Sequence, residues 1–168
     1  YPALFILTGS GPSDRNGTLY GNTPYQDIAR GIASRGVASL RCDDRALIYG
    51  AQVIPADGNF TVEQEYIEDA LAAVDALRQT PGINPDRVFV LGHSLGGLIV
   101  PRVLARNPEI AGGIIASGAA ETNLSEAALR QTEYLINVDG TVTPEEQQAL
   151  EQTQQLVDMI NALDETSD

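Results

Sequence analysis

The chain alternates short apolar runs with stretches in which apolar residues recur every three to four positions. Ala3–Gly9 (ALFILTG) is a continuous apolar run ending in glycine, the pattern of a strand buried on both faces of a parallel sheet. Gly36–Cys42 (GVASLRC) predicts a second strand, Val88–Leu91 a third and Ala111–Ser117 (AGGIIAS) a fourth. Between the first two, Thr23-Pro24-Tyr25-Gln26 spells a capping box with proline at the first helical position, and Gly36 suits the stop. Thr61-Val62-Glu63-Gln64 opens another helix, in which Ile67, Ala70, Leu71, Val74 and Leu77 fall at helical spacing. A helical pattern also follows the third strand, and Pro101 in its interior predicts a kink or an irregularity. Strand alternating with helix gives an α/β fold, a parallel sheet flanked by helices.

After Gly118 the pattern turns purely helical. Two amphipathic segments are predicted at about 124–136 and 144–163, the second with Leu150, Leu156, Val157, Ile160 and Leu163 on one side. The expected organisation is a partial α/β core over 1–120 and a helical segment over 121–168. Charge sharpens this division. The net charge is −13 and every basic residue is an arginine. Residues 121–168 hold eleven acidic residues against Arg130 alone, so the helical segment is an acidic appendage with a solvated face. Such acidity argues against nucleic acid or an anionic membrane as partner. No apolar run approaches the length of a membrane span. One cysteine, Cys42, excludes an internal disulfide and a multi-cysteine zinc site. The chain opens at Tyr1-Pro2-Ala3, already entering a strand and with no initiator Met, so its start is expected to have been removed. A soluble protein follows, cytoplasmic or secreted after loss of a leader.

The candidate chemistry lies at Gly92-His93-Ser94-Leu95-Gly96, a G-x-S-x-G between a strand and a helix. Flanking glycines allow a cramped turn that lifts a serine hydroxyl off the sheet and onto a helix N-terminus, the setting of a nucleophile. His93 is the single histidine of the chain. The turn should point neighbouring side chains in different directions, so His93 is expected to pack beside the elbow or make a local hydrogen bond rather than act as base. Gly9-Ser10-Gly11 begins like a dinucleotide loop, but Pro12 interrupts it and Asp14 stands in place of the third glycine. Leu135 to Glu146 sets Asn137, Asp139, Gly140, Thr141, Thr143 and Glu146 at EF-hand offsets. Its first position is leucine and no second copy exists, and a turn feeding a Thr143–Glu146 helix cap accounts for the same residues. No cofactor or metal is called for.

Three stretches together resemble the α/β-hydrolase superfamily: Thr8 to Thr18 (TGSGPSDRNGT), Leu40 to Arg45 (LRCDDR) and Gly92 to Gly97 (GHSLGG). The resemblance is to its bacterial esterase-like branch near dienelactone hydrolases and acyl-thioesterases, where the first stretch usually reads HGSGPSDRDGT and the second an R-Y-D-x-R turn. It covers residues 3 to about 120, and the acidic tail is similar to the cap such proteins insert after their sixth strand. The resemblance implies that the four strands correspond to strands 3, 4, 5 and 6, in spatial order 4-3-5-6. It implies Ser94 as nucleophile and the backbone N–H of Leu95 as one oxyanion donor. The second donor would be the N–H of Ser10, with Gly11 as the alternative. Thr8 stands where the family usually has histidine, and Asp44 where a basic or other residue is more usual. Asp14, Arg15, Asp43 and Arg45 are expected to form a structural ion-pair lattice rather than to act in catalysis.

In such hydrolases the triad runs Ser, then acid, then His along the chain. No histidine follows Ser94, and Glu121 is only a fallback acid. The expectation is therefore the nucleophile half of a serine hydrolase plus its cap, acting on small-molecule carboxylic esters or thioesters through an acyl-enzyme. Its base, together with its acid, would lie on a C-terminal segment or complementary chain outside this sequence, and the 168 residues alone would be inactive. The acidic cap disfavours anionic substrates such as CoA esters. The alternative is a catalytically incomplete, hydrolase-like module that binds a ligand or partner. Exposed sheet edges predict a tendency to aggregate unless something covers them.

Overall fold

A computed structural model describes residues 1–56, 58–118 and 124–164, which form two compact units, Tyr1–Ala120 and Glu121–Asp168. The first unit is built on a four-stranded parallel sheet of β1 (Ala3–Leu7), β2 (Ala38–Arg41), β3 (Val88–His93) and β4 (Gly112–Ala116). Their spatial order is β2-β1-β3-β4, which is the order expected of hydrolase strands 4-3-5-6. The strands begin and end within a few residues of the apolar runs, with Thr8 and Gly9 past the end of β1 and Val37 just before β2.

Alternation along β1 sends its side chains to two cores. Ala3, Phe5 and Leu7 join Val88 and Val90 of β3 in a cluster under α3 (Glu68–Gln79) and α4 (Leu95–Arg106). Leu4, Ile6 and Leu91 face the other way, onto Tyr25, Ile28 and Ile32 of α1 (Pro24–Ala33). Helices therefore cover both faces, as a parallel sheet requires. Pro24 opens α1 as predicted, but Thr23 makes no side-chain capping bond, so the capping box is present in spelling only. The second box is real: Gln64 Oε1 accepts from the Thr61 N–H at 2.9 Å, and Thr61 Oγ1 accepts from the Glu63 N–H at 3.2 Å.

Two local features depart from expectation. The helix opened by Thr61 begins as a π-turn, Glu63–Ile67, before α3 proper. Arg45–Tyr49 forms a short helix, α2, which runs into a 3-10 turn at Gly50–Val53, where the sequence pattern had shown neither. Helix α4 runs unbroken through Pro101 to Arg106, losing one backbone bond without ending.

β2 and β4 are the sheet edges. On β4 both Ile114 and Ile115 remain more than two-fifths exposed, one on each face.

In the second unit α5 (Leu124–Ile136) pairs with α6 (Pro144–Asp164). Val157 of α6 is buried and Leu150 half-buried, but Leu156 and Ile160 are exposed. The inward stripe is thus Leu150, Thr153 and Val157, narrower than the predicted face, whose Leu163 lies outside the described side chains. The turn between the helices forms the expected cap. Thr143 Oγ1 accepts from the Glu146 N–H at 3.2 Å while Glu146 Oε2 accepts from the Thr143 N–H at 2.8 Å, and Asp139 accepts from Thr141. No cluster of metal-ligating side chains occurs among the described residues.

Candidate active site

Ser94 sits between the last residue of β3 and the first of α4, at φ 54° and ψ −120°. A non-glycine residue rarely adopts this conformation, which costs on the order of 1–3 kcal/mol and persists only where the surroundings enforce it. The surroundings here are glycines. A Cβ on Gly92 would lie 2.1 Å from the Gly96 carbonyl oxygen, and one on Gly96 would lie 2.3 Å from the Thr8 carbonyl oxygen. The Ser94 N–H donates to the Ala116 carbonyl at 2.9 Å, and its own carbonyl accepts from Gly97 at 2.9 Å. Strand β4, the glycines and the first turn of α4 therefore hold the elbow from three sides. Leu95 opens α4, where backbone N–H groups have no partner inside the helix and the dipole favours negative charge.

Ser94 lines a cleft of about 630 Å³ together with His93, Ser10 and Gly11. Leu19, Tyr20 and Leu47 give it an apolar wall. Ser10 and Gly11 are exposed on the loop after β1, and Gly11 takes φ 85°, in the left-handed region that glycine tolerates. Gly9 packs against the serine so closely that an added Cβ would stand 3.2 Å from Ser94 Cβ. Of the residues singled out from sequence, Ser94, Ser10 and Gly11 share this cleft, Leu95 follows Ser94 as the first residue of α4, and Glu121 is outside the described residues.

His93 does form a local bond: its Nδ1 lies 3.0 Å from the Tyr25 hydroxyl, with the two rings edge to face. The Tyr25 oxygen also accepts from the Gly9 N–H at 3.2 Å, and the Tyr66 hydroxyl donates to the Gly9 carbonyl at 3.1 Å. Burial pushes both phenols above their ordinary pKa, so both remain neutral hydrogen-bonding groups. Neither tyrosine carried a local signal, since they approach Gly9 from 16 and 57 residues along the chain.

The expected ion-pair lattice is real only in part. Arg15 pairs with Asp43 through two nitrogens, at 3.0 and 2.5 Å, and this holds the Asp43 carboxyl down at about 2. Arg45 instead turns to Asp69, and Asp14 accepts from Asn16 and Thr18 as a turn cap. Asp44 binds Thr8 at 2.7 Å and the Ser13 N–H at 2.9 Å, while burial raises its pKa.

A parallel sheet in this order, with a serine at a positive-φ turn between a strand and a helix, defines an α/β-hydrolase core. Residues 21–162 match the family described as serine aminopeptidase, S33, and the chain belongs to that family. Esterase EstD of Thermotoga maritima is 37% identical over 135 residues, 80% of this chain and 31% of the relative. Two solved structures share the fold. The α/β-hydrolase GrgF from Penicillium sp. sh18 has 18% identity and a TM-score of 0.53, over 84% of this chain and 47% of that one. The 2,6-dihydroxy-pseudo-oxynicotine hydrolase has 24% identity and a TM-score of 0.54, over 93% and 39%. The chain thus spans about a third of the curated relative and less than half of each solved chain.

Proposed function

We propose that this chain carries the nucleophile of a serine hydrolase of carboxylic esters or thioesters. The observation that carries the reading is the strained backbone of Ser94 at the mouth of a cleft, between β3 and α4. The 37% identity to an esterase supports the choice of esters. Ser94 Oγ attacks the carbonyl carbon as a base takes its proton, and the carbonyl electron pair moves onto oxygen. The N–H groups of Leu95 and Ser10, with Gly11 next to it, receive that oxyanion. Collapse expels the alcohol or thiol, which takes back the proton, and water then releases the acid from the Ser94 ester.

We assign His93 to bracing the elbow through Tyr25 rather than to the role of base, since it directly precedes Ser94 in the turn and a hydrolase triad has its histidine after the serine along the chain. The base and the acid are supplied by polypeptide outside these 168 residues, with the acidic helical unit serving as a cap. The same observation supports a second reading for the 168 residues by themselves, a hydrolase-like module that binds without turnover.

Intact-mass analysis after a fluorophosphonate tests this on the full-length protein. One adduct, lost in Ser94→Ala, is expected. An unlabelled protein, or labelling that survives Ser94→Ala, overturns the reading.

A further inference from the structure

The loop that would supply the second oxyanion donor is held at one residue, Gly9, and from both sides. The Gly9 carbonyl and the Ser10 N–H belong to one planar trans peptide, so they point in opposite directions. Whatever fixes the carbonyl therefore aims the N–H. The carbonyl is fixed by the Tyr66 hydroxyl, from a side chain 2% exposed. The other peptide at Gly9 is fixed by Tyr25, whose oxygen accepts the Gly9 N–H. The Tyr25 hydroxyl also shares a hydrogen bond with His93 Nδ1 at 3.0 Å. The network therefore ends on the residue next to Ser94. Glycine has the widest backbone freedom of any residue, and position 9 needs it because a Cβ would crowd Ser94. The two tyrosines remove that freedom without adding bulk. Tyr66 comes from the π-turn Glu63–Ile67, a rare local form frequent at functional sites.

We propose that Tyr66 is the positioning residue that aims the Ser10 N–H at the oxyanion, with Tyr25 locking the opposite side of Gly9 and tying it to His93. The proposal rests on the serine-hydrolase reading. Tyr66 touches no reacting atom and acts through the Gly9–Ser10 peptide. Its removal should harm the transition state and spare the bound substrate.

The test compares wild type, Ser94→Ala, Tyr66→Phe and Tyr25→Phe of the full-length protein. The readouts are p-nitrophenyl butyrate hydrolysis and inhibition by a trifluoromethyl ketone, which adds to the serine to give an oxyanion, beside the inert methyl ketone of equal length. Deleting an oxyanion donor costs about 100- to 1,000-fold in kcat, and a misaimed donor should cost about 10- to 100-fold. Tyr66→Phe is expected to lose that much in kcat and in trifluoromethyl-ketone affinity, with KM and methyl-ketone affinity within about twofold. Tyr25→Phe should show the same split more weakly, and gives an independent answer if Tyr66→Phe folds poorly. A wild-type kcat in both tyrosine variants, or equal losses for both ketones, overturns the clamp while leaving the nucleophile in place. If Ser94→Ala is as active as wild type, the hydrolase reading falls and the clamp falls with it.

Discussion

The Thr8 hydroxyl donates to Asp44 Oδ1 at 2.7 Å, a bond that joins the end of β1 to the turn after β2. The other oxygen of Asp44 accepts from the Ser13 N–H, so one carboxylate ties both ends of the loop that carries Ser10 and Gly11. Thr8 is itself buried. Asp44 therefore braces this loop from the neighbouring strand's turn.

This pairing should be visible as non-additivity. A hydrogen bond to a charged group contributes about 1.5–3 kcal/mol, and its loss strands a buried hydroxyl or a half-buried carboxylate. Thr8→Val and Asp44→Ala should each destabilise the fold, and the double variant should lose about 1 kcal/mol less than their sum. Urea denaturation of the four proteins measures the coupling, and simple additivity would show the bond to be idle.

The neighbouring aspartates should respond to pH in opposite senses. Asp43, held at about 2 by Arg15, contributes stability that is present above the ordinary carboxylate range and is lost as pH falls toward 2. Asp44 is raised by burial, so the folded state binds its proton more tightly than the unfolded state does. Its contribution is present below the ordinary range and declines as pH rises through the raised value. Asp43→Asn should therefore flatten the acid limb of the stability profile. Asp44→Asn should improve relative to wild type as pH rises through that window. Melting temperatures between pH 2 and 7 separate the two, and parallel profiles would contradict the assignment.

Glycines at the site should divide by mechanism. Alanine at Gly92 or Gly96 drives a Cβ into backbone oxygen, at 2.1 or 2.3 Å, and neither side can yield. These variants should lose more than about 4 kcal/mol or fail to fold. Gly11 has open space, and alanine there meets only the cost of φ 85°, about 1–2 kcal/mol. Soluble yield and urea midpoints rank them, and a stable Gly96→Ala would refute the packing argument.

The elements that can be read from a local window were legible. β1 and β3 are apolar runs, and the elbow lies where a strand-to-helix switch and three glycines coincide. What escaped depends on geometry that a period of 3.6 does not encode. The π-turn adds one residue to a helical turn without disturbing the apolar spacing of Ala70, Val74 and Leu77. Arg45–Tyr49 is too short to show periodicity. Leu156 and Ile160 read as inward because α6 has apolar residues on more than one side, and packing against α5 chose the stripe through Leu150 and Val157. The roles of Tyr25 and Tyr66 depend on contacts across the fold, which no local pattern announces.

Ser94 sits where a glycine would be at ease. Because only the side chain makes its backbone angles unfavourable, Ser94→Gly should raise the melting temperature while removing the hydroxyl. Selection on thermal survival alone would then drive this position away from serine. With Ser94 read as the nucleophile, laboratory evolution of the protein needs a catalytic readout in every round, or its most robust descendants will be its least useful ones.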